Sequence, residues 1–221
     1  MNYVRTNALI CTVLFSAVAV CGGRQTAPTS SPITRPSFFA GDAQSGATGQ
    51  HWEKKTDEHG GVSAHVATTG QTPDGAATMT FDAQCSTGEG GVASLIFTVL
   101  GAAEMKNFDF DNFEGPDAPA QHKPLLSVTV HRAVGGDVVV ATPVSGSYTV
   151  TDKGFQFEAS MDYNKASKVT IVTDALIAGG SSLLVKVRGF KDPRKSIVAN
   201  FSTEGASAVL GEVMKGCGAH H

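Results

Sequence analysis

The sequence predicts a mainly β domain, an antiparallel β-sandwich or partly open barrel, with two packing helices in its C-terminal third and one disulfide. Three observations carry this expectation. Short runs of period-two alternation recur between glycine-rich turns. Helical periodicity emerges only after about Lys165. The cysteines reduce to a single pair once the N-terminus is set aside. With 221 residues, 41% hydrophobic and 17% charged, the chain can bury a core and is too apolar for wholesale disorder. Seventeen Lys+Arg against twenty Asp+Glu give a net charge of -3. That leaves no basic excess to bind nucleic acid or an anionic membrane surface, so neither is an expected partner.

Residues 1–20 read as an export signal. Arg5 precedes Ala8 to Val20, an uncharged apolar run too short for a bilayer span, which takes roughly 20 residues. Pro28, Ser30, Ser31 and Pro32 follow. Ala17-Val18-Ala19 offers an A-x-A cleavage site that would release a soluble chain. Val18-Ala19-Val20-Cys21 instead resembles a bacterial lipobox, in which Cys21 would carry lipid and form the chain's one membrane attachment. Val20 stands where such sites usually have Gly, Ala or Ser, and both readings stay open. Of the four cysteines, Cys11 leaves with the signal. If Cys21 is lipidated, Cys85 and Cys217 remain, and an oxidising compartment would pair them. That bridge would close a loop of about 130 residues, contributing on the order of 5 kcal/mol at most in the chain-entropy model. A catalytic cysteine finds no support in a C-x-x-C or a neighbouring His.

Residues 21–50 are rich in Gly, Ser, Thr, Ala, Gln and Pro, with Phe38 and Phe39 the bulky apolar exceptions, which is the composition of a flexible leader. The domain is expected over 51–217 and a frayed tail over 218–221. Val62–Ala67 and Ala77–Phe81 alternate as strands, the second bringing Cys85 to its end. Leu95–Val99 is a continuous apolar strand after a Gly88-Glu89-Gly90-Gly91 hairpin loop. Leu126–Val130, Val138–Val140, Tyr148–Val150 and Phe155–Phe157 follow, with turns at Gly135-Gly136-Asp137 and Asp152-Lys153-Gly154. Regular spacing of short strands is the mark of a sandwich or barrel.

Lys165 to Ala178 places Ala166, Val169, Val172, Thr173, Leu176 and Ile177 on one helical face, stopped by Gly179-Gly180. The β-branched run Thr170 to Thr173 keeps a strand open there. Leu183–Val187 and Ser196–Phe201 form a hairpin around Lys191-Asp192-Pro193-Arg194. A last helix, capped by Ser202 or Thr203, repeats Ala206, Val209, Leu210, Val213, Met214 and Cys217. Its apolar stripe should pack on the sheet and carry Cys217 to Cys85.

Trp52-Glu53 near the domain start, a strand Thr80–Cys85 ending in Cys, and a helix–hairpin–helix unit closing on Val213-Met214-Lys215-Gly216-Cys217 form a recurrent layout. It resembles the type VI secretion accessory family of TagO/VasI-like proteins and, more loosely, invasion-associated locus B proteins. Gly101 to Met161 lies outside the resemblance. The resemblance implies a non-enzymatic protein of the bacterial envelope working with an envelope protein partner, and it supplies no catalytic residues.

Among candidate sites, Asn107 to Asp117 reads NFDFDNFEGPD. Asp109, Asp111, Glu114 and Asp117 are the residues a calcium-binding module would use, since Ca²⁺ takes six to eight oxygens. Phe113 breaks the D-x-[DN]-x-[DN]-G loop pattern. A second account has Phe108, Phe110 and Phe113 pinning the loop to the core while the acids face water. The histidines are His51, His59, His65, His122, His131, His220 and His221, and none falls in H-E-x-x-H or a Cys/His finger. His65 and His131 belong to the polar faces of strands. Gly61-Val62-Ser63-Ala64-His65 and Gly205-Ala206-Ser207 lack the strand–turn–helix setting of a nucleophile elbow. No cofactor is expected. The expected function is non-catalytic binding or assembly; the alternatives are a secreted hydrolase without a recognisable motif, favoured by a deep pocket gathering Asp109, Glu114 and a His, and the calcium module.

Overall fold

Strict alternation of buried and exposed side chains organises most of the chain into one antiparallel sheet. The computed structural model describes residues 50–57, 61–86, 92–162 and 167–218. All of these fall in one unit, Gln44–His221. The expected signal over 1–20, Cys11, Cys21, Phe38, Phe39, His59, Gly88 to Gly91, His220 and His221 lie outside the described residues. The strands are β1 (Glu53–Thr56), β2 (Val62–Thr72), β3 (Gly75–Ser86), β4 (Val92–Val99), β5 (Leu126–Arg132), β6 (Val138–Thr142), β7 (Ser145–Tyr148), β8 (Phe155–Asp162), β9 (Gly180–Arg188) and β10 (Ser196–Phe201). Their order is β6-β5-β9-β10-β2-β3-β4-β8-β7, with β1 added to β2, and the sheet curls into a half-barrel.

The curl has a seam. β1 pairs with the first half of β2 (Glu53 opposite His65, Thr56 opposite Val62), so β10 meets β2 only at its far end, where Val198 opposes Gln71. The Thr68 hydroxyl donates to the Asn200 carbonyl (3.0 Å) and reinforces that junction. Gly70 is required there, because a Cβ would lie 2.6 Å from the Val198 carbonyl oxygen. On one side of the seam, β9–β10, β5–β9 and β5–β6 pair in long registers; on the other, β2–β3, β3–β4 and β4–β8 do so.

The inner face is mostly apolar, with Thr68 and Thr142 as buried polar positions in β2 and β6. Val66, Phe81, Phe97, Phe157, Val185, Val128 and Phe201 are each at most 1% exposed. Burial of a side chain of this size contributes about 1.5–3 kcal/mol relative to exposure. Helices α1 (Lys168–Ile177) and α2 (Ala206–Val213) lie against this face. α1 begins where the Ser167 hydroxyl accepts the Thr170 N–H (3.1 Å), an N-cap that removes one unpaired amide. Its β-branched run stays helical because the Thr173 hydroxyl donates back to the Val169 and Thr170 carbonyls, so the buried Thr is satisfied. Gly179, at φ 96°, ends the helix.

Several expectations are corrected. β1 is a strand that the exposed, unalternating Glu53-Lys54-Lys55-Thr56 does not announce. β7 ends at Tyr148, and Val150 lies beyond it at 99% exposure. Neither Ser202 nor Thr203 caps α2. Gly205, at φ 81°, is the N-cap, since the Thr203 hydroxyl is committed to the Gly180 carbonyl and Ser202 Oγ accepts the Glu204 N–H. The last helix is also interrupted at Met214, and a separate helical turn, Lys215–Gly218, carries Cys217.

Three 3-10 turns, Ala102–Glu104, Phe110–Asn112 and Pro119–His122, form the segment between β4 and β5. Phe108, Phe110 and Phe113 anchor it: Phe113 meets Phe157 edge-on at 5.2 Å, and Phe110 lies 5.0 Å from Phe155. A second anchor is polar. The Asp74 carboxylate, in the β2–β3 turn, accepts the backbone N–H of Lys106 (3.1 Å) and of Asn107 (3.0 Å) and the Asn107 side-chain amide (2.8 Å). Burial pulls the Asp74 carboxyl up, but those hydrogen bonds and the charge of Lys195 outweigh it and hold it below the usual value. A depressed folded-state pKa contributes stability above the unfolded value that is lost as pH falls through the folded one. Acidification below about pH 4 is therefore expected to lower the protection factors of the Lys106 and Asn107 amides, taken against the intrinsic exchange rate at each pH. Asp74→Ala should show that lost protection already at neutral pH. Unchanged protection in this variant, read by hydrogen-exchange NMR, would remove the anchoring role.

Candidate functional site

The chain crosses the seam repeatedly, and its last element returns to be fastened. The Cys85 and Cys217 sulfurs are bonded at 2.07 Å, with Cα atoms 5.6 Å apart and a sequence separation of 132. Cys85 stands near the end of β3, and Cys217 is delivered by the turn after α2 with only 1% of its surface exposed. Both thiols are thus consumed structurally, leaving neither as a nucleophile.

The acidic loop does not assemble as a cation site. Asp109 Oδ2 accepts the Lys191 backbone N–H (2.9 Å), tying the loop to the β9–β10 connection. Asp111 accepts the Tyr148 hydroxyl (3.2 Å). Glu114 is held by a backbone bridge to Gly146, while Asp117 is exposed at a turn. Among the described residues no three His, Cys, Asp or Glu side chains come together to hold a metal. Burial, then the Asp111 charge and hydrogen bond, then the Glu114 charge, raise the Tyr148 hydroxyl's pKa, so it serves as a neutral donor. The phenylalanines, in contrast, take the core positions expected of them.

The polar chemistry gathers on the outward face of the sheet. Register sets it in rows: His65, Asp82, Ile96, Glu158 and Ser145 lie side by side across β2, β3, β4, β8 and β7. The adjacent row is Ser63, Gln84, Ser94 and Ser160. His65 Nδ1 and Asp82 Oδ1 are 2.7 Å apart, and the Thr80 hydroxyl donates to the other Asp82 oxygen (3.3 Å). The Ser94 hydroxyl donates to Glu158 Oε1 (3.0 Å), which also accepts from Ser160. Ser94 is 5% exposed although it points away from the core, so this patch is shielded by its neighbours. His131 makes a separate, more exposed contact with Asp137 (2.9 Å).

Two open clefts adjoin at Glu158. One, of about 340 Å³, is lined by Gly115, Pro116, Gln121, Ser145, Gly146, Ser147, Gln156 and Glu158. The other, of about 240 Å³, shares Gln121, Ser145 and Glu158 and adds Pro143, Val144, Ala159, Ser160 and Met161. Among the described residues neither is lined by Asp109, Glu114 or a His, whose gathering in a deep pocket would favour a hydrolase. The shape of the first depends on Gly146, where a Cβ would strike the Phe155 ring and come within 3.0 Å of the Phe113 carbonyl oxygen. Sequence reading missed Glu158, Ser94 and Gln121. Alternation along Phe155-Gln156-Phe157-Glu158 marks Glu158 as outward, but only the strand order brings Ser94 and Ser145 beside it. The chain matches no family model, no curated protein and no solved structure.

Proposed function

We propose that this chain is an exported protein of the bacterial envelope, a non-catalytic binding or assembly factor that engages an envelope protein through the outward face of its sheet. The observation that carries the reading is the ordered polar surface of that face. His65, Asp82, Ser94, Glu158 and Ser160 are positioned by sheet register and by one another, whereas the inner face is filled by the chain's own apolar side chains. The disulfide fits an oxidising compartment. Residues 1–20 have the pattern of an export signal, and Cys21 is the residue that would tether the chain by lipid. Among the described residues no helix is long and apolar enough to cross a membrane. The TagO/VasI-like layout supports an accessory role in secretion, and the invasion-associated locus B likeness supports the broader exported class.

Affinity purification of the tagged full chain from its native envelope tests this reading. A protein partner recovered in fixed proportion, and lost on substitution of the outward rows, is the expected result. Hydrolytic turnover by the purified protein, abolished by a single side-chain change, would overturn it. Intact mass of the recovered chain reads the start of the mature protein and the state of Cys21.

A further inference from the structure

We propose that the paired clefts at Glu158 hold a basic side chain, a lysine ammonium or an arginine guanidinium, presented by a polypeptide partner. This deepens the binding reading and rests on it in taking the outward face as the working surface. The carboxylate is set in place before any ligand arrives: Ser94 and Ser160 both bond Oε1, leaving Oε2 without a hydrogen bond among the described residues. Gln121 is similarly fixed, its Nε2 donating to the Gly115 carbonyl (2.7 Å), so its carbonyl oxygen remains to accept. Among the described residues no Lys, Arg or His side chain lines either cleft, and Glu158 is the one charged lining residue. An anion is therefore repelled. A bare metal ion meets a single carboxylate where it needs several oxygens. A sugar finds no aromatic ring in the lining.

A basic side chain satisfies both halves of the site. Pro143 and Met161 offer apolar surface along which an alkyl stem can lie, and the charged head reaches Glu158 at its end. The contact is a charge-assisted hydrogen bond to a carboxylate already oriented by two hydroxyls, so little order is lost when it forms. Ser145 and Gln156 flank the carboxylate from β7 and β8 and bring further hydrogen-bonding groups for a main chain passing over the cleft.

NMR titration of the oxidised protein at low salt, with a capped tri-arginine peptide, a tri-glutamate peptide and spermidine, tests the site. Saturable shifts with tri-arginine at Ser145, Gln156, Glu158 and Ser160 are expected, with none from tri-glutamate. Glu158→Gln, nearly isosteric and checked by its unchanged melt, should weaken binding on the order of tenfold. Equal affinity in Glu158→Gln, or no saturable binding of tri-arginine, would overturn the proposal. Spermidine binding in preference to the peptide would overturn the polypeptide source while keeping the cation site. A silent titration with an envelope partner still captured defeats this site alone; enzymatic turnover defeats the wider reading and leaves the titration to stand.

Discussion

Replacing both Cys85 and Cys217 with alanine is expected to lower unfolding stability by about 4 kcal/mol, close to the upper range for removing a native bridge. Two terms contribute. The bond, spanning 132 residues, restricts the unfolded chain over most of the domain. It also joins parts that the sheet itself joins weakly, because Cys217 follows β10 on one side of the seam and Cys85 belongs to β3 on the other. Only one residue pair of backbone register, Val198 with Gln71, links those two halves directly. Denaturant titration of the variant beside reduced and oxidised wild type checks this. The variant and the reduced protein should unfold together, well before the oxidised one. Coincident midpoints for all three would show that the bridge constrains nothing.

Phe157→Ala should cost about 4 kcal/mol. Phe157 is fully buried and lies at the centre of a ring cluster, with Phe155 at 4.9 Å, Phe113 at 5.2 Å and Phe97, Phe110 and Phe108 at 6.1 to 6.2 Å. Truncation opens a cavity beneath the segment that carries Gln121, so the clefts at Glu158 should lose definition along with stability. Phe157→Leu keeps most of the volume and should cost less than about 1.5 kcal/mol. Val139→Ala, at a side chain 65% exposed, should move stability by less than about 0.5 kcal/mol. Equal losses at Phe157 and Val139 by chemical denaturation would contradict this account of the core.

The strands were legible wherever alternation met a clean turn. Val62–Ala67, Leu126–Val130 and Ser196–Phe201 are strands because one face of each is buried, and burial leaves its period in the sequence. β1 was not legible, since all four of its residues are exposed and it is held through backbone pairing to β2. The cap of α2 was misread because Ser202 and Thr203 have the right chemistry, yet a local bond from the Glu204 N–H and a tertiary one to the Gly180 carbonyl claim their hydroxyls first. At the candidate site the limit was topological. Ser94 and Glu158 are 64 residues apart, and no local pattern records that β4 and β8 will be neighbours.

The placement of the bridge also fixes an order of events. A polypeptide is made and delivered from its N-terminus, so Cys217 arrives well after Cys85. Until then Cys85 waits as an unpaired thiol through the appearance of both helices and the seven strands β4 to β10. During that interval the one other cysteine between residues 21 and 217 is Cys21. A lipid on Cys21 would take that competitor out of thiol exchange before Cys85 meets its proper mate, making the anchor a safeguard of oxidative folding as well as an address.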